Sequence, residues 1–515
     1  MSELPCTIDE LVRLRATEYA AKPMVIDAAA RIGYDELDTT TRAMAAGLVD
    51  AGVGKGTRVG LIMPNGVRWV QIAVALTRIG AVLVPLSTLL APRELLAQLR
   101  AASVQILVSV EEFRGHRFLD DLGAELESST ELPALQDIWA PEAVTDATAS
   151  ARTRRRVDAL AANVTPSDTL VVMFTSGSSG PPKGVIHSHG NALGAVHSGL
   201  TARCIGADTR LYLPMPFFWV GGFGSGILSA LLAGATLVTE EIPGPDMTLR
   251  LLERERVTLF RGWPDQAEAL AHQAGSLGAD LSSLQPGSLD ALLPPDRRPA
   301  PGARAKLFGM TEAFGPYCGY PADTDMPRSA WGSCGRPFDG TEVRIVDPDG
   351  GRPVPTGTIG MIHIRGPNTL RGICRRSREE VFTPDGFYPT GDLGRLDDDG
   401  FLFYHGRSDD MFKVSGATVY PSEVEQALRD IDGVQHAFVT NVSAGGSERV
   451  GAVVICPAAT TPEQLRTAAR KVLSPFKVPT VWLVLESDDD VPRGATGKVD
   501  VRRLKNMLTA RLEDR

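Results

Sequence analysis

Apolar residues show two alternating kinds of spacing in the first part of the chain. Amphipathic helical spacing alternates with short apolar runs, in the order Tyr34–Ala51, Arg58–Met63, Trp69–Ile79, Ala81–Pro85, Glu94–Arg100 and Val104–Val108. Strands separated by helices predict βαβ crossovers, which build a parallel sheet covered by helices. Further strand cores are predicted at Thr169–Phe174, Leu211, Ala235–Val238 and Val257–Phe260. The fold class that follows is α/β, with a large N-terminal domain of parallel or mixed sheets.

The pattern changes after about residue 340. Apolar strands at Val343–Val346 and Ile359–Ile364 flank the turn Asp347–Gly351, which is typical of antiparallel β structure. We therefore expect a β-rich subdomain at about residues 335–405, within an N-terminal domain of residues 1–405.

A small, mobile α+β domain is predicted for residues 406–515. Pro421–Leu428 fits a helix with proline in its first turn. Thr461–Gln464 is a capping box that opens a second helix, with Leu465, Ala468 and Val472 predicted to face inward. Strands are predicted at His436–Val442, Ala452–Ile455 and Val481–Leu485.

Residues 141–166 lose periodicity and contain the basic run Arg152–Arg156. We interpret this stretch as a solvated surface loop rather than a nucleic-acid site. The net charge of −9 supports that interpretation, because it disfavours nucleic acid and anionic membranes as partners.

The composition describes a globular chain. With 515 residues it is too long for one core, and 43% apolar and 22% charged residues are ordinary for globular proteins. The six cysteines form no C-x-x-C pair, which is typical of reduced thiols. The N-terminus does not read as a signal peptide, and no apolar run approaches the ~18 residues of a membrane span. We expect a soluble, cytoplasmic protein.

One loop, Thr175–Lys183, follows the apolar run Thr169–Phe174 and is dense in glycine and hydroxyl groups. Its glycines let backbone amides approach a ligand, its hydroxyl groups add hydrogen-bond donors, and its lysine adds a positive charge. The residues expected to bind are Thr175, Ser176, Gly177, Ser178, Ser179, Gly180 and Lys183. It is not a Walker A loop, because two prolines precede the lysine and Gly184–His187 is predicted as a strand. The pattern predicts a polyphosphate-binding loop.

His187 and His189 form a His-x-His pair without a third ligand near in sequence. We expect a structural role or a place in the lining of a substrate pocket rather than zinc binding.

Four more clusters share the glycine-rich, charged character of the loop: Phe308–Glu312, Tyr388–Gly394, Gly406–Gly416 and Pro492–Lys498. Each alone is compatible with a solvated turn. Together and in this order they resemble the acyl-adenylate-forming (AMP-binding) superfamily, in its acyl- and aryl-CoA synthetase branch. The resemblance runs from about Tyr34 to Leu504.

The resemblance implies an ATP-dependent carboxylic acid–CoA ligase that uses ATP, Mg²⁺ and CoA. It implies that Lys183 and its loop bind the β- and γ-phosphates, and that Thr311 contacts the α-phosphate. It implies Mg²⁺ binding by Glu312 and approach of Lys498 to the carboxylate and α-phosphate. The remaining roles are nucleotide binding by Phe308, Gly309, Met310, Asp392 and Arg407, an interdomain hinge at Asp409, and passage of the pantetheine arm at Gly416.

The segment Pro216–Gly222 lies where the family places its acyl pocket. Trp219 stands where many relatives have histidine, and Phe218 and Gly222 are its neighbours in the expected pocket. Aromatic lining predicts an apolar acid, fatty or aryl.

Two alternatives remain open. One is an acyl-AMP ligase that loads a carrier protein; thioester formation with free CoA would separate it from a CoA ligase. The other is a non-catalytic nucleotide-binding relative, for which the atypical segment 286–301 is the support. The expected partner is a small-molecule carboxylic acid, and a homodimer is compatible with the chain.

Overall fold

The computed structural model describes residues 5–129, 132–146, 151–175, 183–348, 350–408, 412–414, 417–444, 447–457, 460–473, 477–493 and 499–513. The chain divides into two compact units. The first comprises Met1–Val343, Ile364–Tyr388 and Gly400–Leu402, and the second comprises Arg344–His363, Pro389–Asp399 and Phe403–Arg515. The expected domain boundary after residue 405 stays a prediction.

The helices of the described residues are α1 (Ile8–Tyr19), α2 (Tyr34–Asp50), α3 (Val67–Arg78), α4 (Pro92–Ala101), α5 (Phe118–Ser129), α6 (Pro141–Thr145), α7 (Ala151–Ala161), α8 (His189–Ser198), α9 (Val220–Gly222), α10 (Ser229–Ala233), α11 (Pro245–Arg254), α12 (Pro264–Leu277), α13 (Arg378–Val381), α14 (Pro421–Arg429), α15 (Pro462–Ala469) and α16 (Val501–Glu513).

The strands of the same residues are β1 (Pro23–Ile26), β2 (Arg31–Gly33), β3 (Arg58–Ile62), β4 (Val82–Pro85), β5 (Ile106–Ser109), β6 (Asp137–Trp139), β7 (Thr169–Thr175), β8 (Lys183–Ser188), β9 (Arg210–Tyr212), β10 (Thr236–Val238), β11 (Leu259–Phe260), β12 (Phe308–Met310), β13 (Gly315–Gly319), β14 (Arg336–Pro337), β15 (Glu342–Val346), β16 (Gly360–Arg365), β17 (Gly372–Ile373), β18 (Tyr388–Leu396), β19 (Leu402–Arg407), β20 (Phe412–Val414), β21 (Ala417–Val419), β22 (His436–Ala444), β23 (Ser447–Ile455) and β24 (Val481–Leu485).

A seven-stranded sheet of order β17-β8-β7-β4-β3-β5-β6 lies in the first unit. Strands β7, β4, β3, β5 and β6 run parallel, and β8 pairs antiparallel with β7. Strand β4 is buried along its whole length, as expected for a strand whose sheet is covered by helices on both faces. The predicted α/β class with parallel and mixed sheets is confirmed.

A second sheet of the first unit has the order β11-β9-β10-β1-β2. Strands β11, β9, β10 and β1 are parallel, so their carboxyl ends meet at one edge. The chain leaves β9 into Pro214–Trp219 and leaves β11 into Arg261–Trp263. Ligands of open α/β sheets bind at such an edge, so these two segments are placed for binding.

The stretch 141–166 differs from its prediction. Residues Pro141–Thr145 and Ala151–Ala161 are helical, so the basic run lies in α7 and not in a loop. Val157 of this helix is fully buried, and the Thr153 hydroxyl donates to Asp50 at 2.9 Å. Arg155 and Arg156 are exposed, because a short helix buries one apolar face and leaves the rest to solvent.

The second unit contains the three-stranded sheet β22-β23-β24 with α14, α15 and α16. Val424 and Leu428 of α14 are buried, as the helical spacing predicts. The predicted inward position of Val472 is wrong, since its side chain is 62% exposed. The buried residues are Leu465, Ala469 and Leu473, each four residues from the next, and the Leu473 amide still donates to the Ala469 carbonyl at 2.9 Å, so the prediction had the wrong spacing along one helical face.

Within the described part of the chain, no helix combines the length and the apolar character that a bilayer span requires.

Candidate active site

The hairpin of β7 and β8 carries the predicted phosphate loop at its tip. Thr175 and Lys183 are paired across the hairpin, immediately before and after the loop. Ser176, Gly177, Ser178, Ser179 and Gly180 lie outside the described residues, so their role stays a prediction.

His187, on β8, ties this hairpin to a distant turn. Its Nε2 lies 2.8 Å from the carbonyl oxygen of Thr311, and its Nδ1 lies 2.8 Å from Nδ2 of Asn191. A carbonyl only accepts, so Nε2 carries the hydrogen and Nδ1 accepts from the Asn191 amide. Burial lowers the pKa of His187 to about 3, which keeps the ring neutral in this arrangement. This is a structural role, one of the two that the sequence allowed.

The turn that His187 holds contains the Phe308–Glu312 cluster. Strand β12 ends at Met310, a single 3₁₀ turn spans Thr311–Ala313, and Phe314 follows in the left-handed conformation at φ 54°. The Phe314 amide donates to the Thr311 carbonyl at 2.9 Å, so this oxygen accepts two hydrogen bonds. A Cβ on Gly309 would lie 2.1 Å from the Gly315 carbonyl oxygen, so the close approach of β12 and β13 requires glycine there.

Glu312 is a buried carboxylate, 6% exposed. The Tyr388 hydroxyl donates to its Oε1 at 2.9 Å, and the Leu370 amide donates to its backbone carbonyl at 2.8 Å. Sequence reasoning missed Tyr388, because the Tyr388–Gly394 cluster directed attention to Asp392. The hydroxyl fixes the direction of the carboxylate.

The donor set at Glu312 suits a nucleotide-associated magnesium ion. Among the described residues, no group of three or more His, Cys, Asp or Glu side chains could hold a metal by itself. Mg²⁺ at nucleotide sites is bound through one or two carboxylates together with phosphate oxygens and waters. The single carboxylate of Glu312 fits that arrangement.

Phe308, one of the residues expected to bind the nucleotide and the one whose ring could stack on a base, is half-buried. Its ring lies 5.5 Å from the Tyr317 ring in an edge-to-face arrangement. Stacking on a base stays a prediction.

The expected acyl segment forms an aromatic cluster. Phe218 and Trp219 meet edge-to-face at 5.6 Å, and Trp219 meets Trp263 at 6.4 Å. Trp263, 38% exposed, was missed by the sequence analysis, although an aromatic residue directly after a strand of the sheet is the signal for it. A Cβ on Gly222 would lie 2.1 Å from the Pro216 carbonyl oxygen, so glycine lets the helix begin against that loop.

The segment is anchored by one amide side chain. Asn65 accepts from the Phe217 amide at 2.8 Å and donates to the Met215 carbonyl at 3.0 Å. These two bonds fix the backbone on either side of Pro216.

Asp392 and Arg407 lie together in the second unit. The guanidinium of Arg407 lies 3.1 Å from Oδ1 of Asp392 and donates to the Thr390 carbonyl at 2.8 Å. Gly391 has φ 75°, and a Cβ there would lie 2.8 Å from the Arg407 guanidinium. Asp409, Gly416 and Lys498 lie outside the described residues.

Comparison with known proteins gives three results. The profile of a family described as AMP-binding enzyme matches residues 12–374. The chain is 30% identical to a (methyl-dioxo-octahydro-indenyl)propanoyl:CoA ligase of Rhodococcus jostii, over 99% of both chains. It is 31% identical to a feruloyl-CoA synthase of an Amycolatopsis species, over 91% of this chain and 93% of that one.

Solved structures are similar over the same extent. ATP-bound MatB from Rhodopseudomonas palustris matches with a TM-score of 0.77 and 25% identity, covering 97% of this chain and 99% of that one. The amide bond synthetase McbA from Marinactinospora thermotolerans matches with a TM-score of 0.77 and 25% identity, covering 98% and 100%.

Proposed function

Because the chain belongs to the AMP-binding enzyme family, we propose that it joins an apolar carboxylic acid to CoA at the expense of ATP. It is an acid–thiol ligase of the AMP-forming class, as its relatives are by name. The chain matches the Rhodococcus jostii ligase over 99% of both lengths, so both adenylation and thioester formation are proposed for it.

The reaction has two steps. A carboxylate oxygen of the acid attacks the α-phosphorus of ATP, the bond to the β-phosphate oxygen breaks, and pyrophosphate leaves. The thiolate of CoA then attacks the acyl carbon, and AMP leaves with the electron pair of the broken acyl–oxygen bond. The first step brings a carboxylate to a polyphosphate, so it needs alignment and screening of like charges.

Glu312 is proposed to hold the Mg²⁺ that accompanies ATP. When bound, this ion neutralises phosphate charge and orients the nucleotide. The Tyr388 hydroxyl directs the carboxylate, and burial keeps water away from it. Alignment of two bound reactants contributes about 7–11 kcal/mol to lowering such a barrier.

The observation that carries the proposal is the His187–Thr311 hydrogen bond. Strand β8 begins at Lys183, and four residues of strand span about 13 Å. The bond therefore makes the lysine end of the hairpin and the Thr311–Glu312 turn parts of one framework. In the proposed function, Lys183 supplies the cation for the outer phosphates and Glu312 supplies the carboxylate for magnesium, and this framework supports that assignment.

The roles of Asp392 and Arg407 at the ribose, of Lys498 at the α-phosphate, of Asp409 as hinge and of Gly416 beside pantetheine belong to the same proposal. The geometry of Asp392 supports it, because its backbone amide donates to the Thr390 hydroxyl at 3.0 Å and Arg407 lies beside its carboxylate. We also assign the reaction to the cytosol, in line with the thiols of Cys204, Cys318, Cys374 and Cys456.

The acid is proposed to be apolar. Phe218, Trp219 and Trp263 present ring faces and edges at the carboxyl edge of the parallel sheet. Relatives named for feruloyl, hydroxybenzoate and bicyclic propanoyl substrates support a ring-bearing acid, and fatty acids suit the same lining.

The test is pyrophosphate release from ATP across a panel of carboxylic acids, followed by thioester formation with free CoA. Glu312→Gln should lower acid-dependent release by about 100-fold or more, since it removes a charge aimed at the reacting centre. Glu240→Gln is the matched control, because Glu240 is also buried and also accepts from a tyrosine hydroxyl, that of Tyr212 at 2.7 Å. No release with any acid of the panel would refute the proposed ligase function, and an unchanged rate in Glu312→Gln would refute the role given to Glu312.

A further inference from the structure

Phe314 adopts a backbone conformation that phenylalanine rarely takes. It lies at φ 54° and ψ 37°, directly after the Thr311–Ala313 turn. Bulky side chains avoid this left-handed region, and residues held there cluster at functional sites. Glycine would be the favoured residue at such a position, so the contacts of the phenyl ring are the next observation to consider.

The ring is buried between two parts of the first unit. It is 2% exposed and lies 4.8 Å from the His187 ring and 6.2 Å from the Phe223 ring, both edge-to-face. A Cβ on Gly224 would lie 3.1 Å from Cε1 of Phe314, so glycine at 224 is what allows the ring to seat there.

Gly224, which the Phe314 ring contacts, lies in a widened helical turn. A π-helical turn, Phe223–Leu228, lies between α9 and α10, and the Ser229 hydroxyl donates to the Gly224 carbonyl at 2.9 Å. Such turns are rare in helices and frequent at functional sites. This helical segment begins directly after Trp219, so the ring of Phe314 rests on the helix that the proposed acyl segment enters.

A second line of contacts reaches the same segment. Trp69 lies 5.8 Å from Phe223 and 5.4 Å from Phe217. Phe217 is the residue before Phe218, and all three rings are buried. Phe314 is thus joined to the acyl segment through the helix and through this buried ring path.

At its other end Phe314 holds Thr311. Its amide donates to the Thr311 carbonyl, which also accepts from His187. A displacement of Phe314 therefore moves the peptide next to Glu312. Interiors packed as densely as crystals transmit such displacements rather than absorb them.

We propose that Phe314 is a positioning residue that couples the occupied acyl segment to the Thr311–Glu312 turn. The fit of the acid against Trp219 then sets the placement of the groups that act on ATP, and so contributes to selection between acids. This inference rests on the proposed ligase function and names the residue through which the acid site and the nucleotide site communicate.

The test is a double-mutant cycle read out by acid-dependent pyrophosphate exchange, with one aryl and one straight-chain acid. Phe314→Leu should lower kcat about tenfold and reduce the preference between the two acids severalfold, with the KM for ATP little changed. Gly224→Ala should act similarly, because its methyl group would press on the ring. In Phe314→Leu/Gly224→Ala the added methyl meets a smaller side chain, so the double variant should be no worse than Phe314→Leu alone.

Phe401→Leu is the control for loss of a buried ring. Phe401 is likewise buried, and its ring lies against Arg336 and Tyr320. It should lower the Tm as Phe314→Leu does and leave the preference between acids unchanged. An unchanged preference in Phe314→Leu, or additive losses in the double variant, would overturn the coupling. Failure of the ligase function itself would show differently, as the absence of acid-dependent exchange in the wild type with either acid.

Discussion

Replacing Tyr388 by phenylalanine removes one hydroxyl and leaves the ring. That hydroxyl donates to the buried Glu312 carboxylate at 2.9 Å, and the ring itself packs 6.4 Å from Phe382. A hydrogen bond to a charged group contributes about 1.5–3 kcal/mol, and every ~1.4 kcal/mol corresponds to a factor of ten. Loss of a partner that orients a metal ligand typically costs about 10–100-fold in metal affinity. We therefore expect the half-saturating Mg²⁺ concentration of Tyr388→Phe to rise at least about tenfold.

The assay is acid-dependent ATP–pyrophosphate exchange at fixed ATP and acid with Mg²⁺ varied. Excess Mg²⁺ should restore most of the rate, because the Glu312 carboxylate is still present. Tyr212→Phe is the control, since it removes a hydroxyl from the buried carboxylate of Glu240 and should leave the Mg²⁺ dependence as it is. Superimposable Mg²⁺ curves for Tyr388→Phe and the wild type would show that the hydroxyl does not orient Glu312.

Two further predictions concern the tail lysine and a buried histidine. Lys498→Ala should abolish adenylation yet spare thioester formation from supplied acyl-adenylate, and Asp409→Pro should do the reverse; equal losses in both half-reactions would contradict this. Burial lowers the pKa of His189 from 6.5 to about 4. The unfolded chain therefore binds a proton below pH 6.5 that the fold excludes, so stability is full above pH 6.5 and falls by about 3 kcal/mol as pH decreases through 4. Urea unfolding of wild type and His189→Gln at pH 7.5 and 5 measures this, and identical losses in both proteins would refute it.

The parallel-sheet region could be predicted from sequence because its elements carry their own periodicity. Helix α2 begins at Tyr34 as predicted and ends within one residue of the predicted end. Helix α4 begins two residues before its predicted start, at Pro92, with Glu94 accepting from the Ala91 amide at 3.0 Å. Proline is favoured in the first turn of a helix, so the sequence indicated this start, but the prediction overlooked it.

Two errors have the opposite cause, a local pattern that tertiary contacts override. Four arginines in five residues made α7 look like a loop, although Thr153 and Val157 give it a buried face. Val472 was placed inward by counting three and then four residues from Leu465, whereas the packing buries Ala469 and Leu473 at steps of four. Charge and periodicity describe a segment, whereas burial depends on what packs against it.

The candidate site shows the same division. The glycine-bearing loop indicated Lys183 by its own composition, whereas Glu312 and Asp392 were predicted from the order of the clusters and the family resemblance that this order carries. The contacts that hold Glu312 and Thr311 were not predicted, since Tyr388 and His187 lie 76 and 124 residues away along the chain. His187 was noticed as part of a His-x-His pair and Tyr388 as the first residue of a cluster, but sequence spacing does not show which distant group each one contacts.

In the segment Phe308–Phe314, some residues are needed to form the turn and others are candidates for the reaction. Gly309 is required by the close approach of Gly315, and the Thr311 carbonyl is occupied by two donors within the fold. The Glu312 carboxylate is therefore presented by neighbours whose task is to form the turn. Since Phe314 continues the turn in an unfavourable conformation and seats its ring on Gly224, the turn is determined from the acyl side as well as from β8. A substitution at Gly224 or at His187 should therefore displace the Glu312 carboxylate although neither residue contacts it, as the proposed coupling requires.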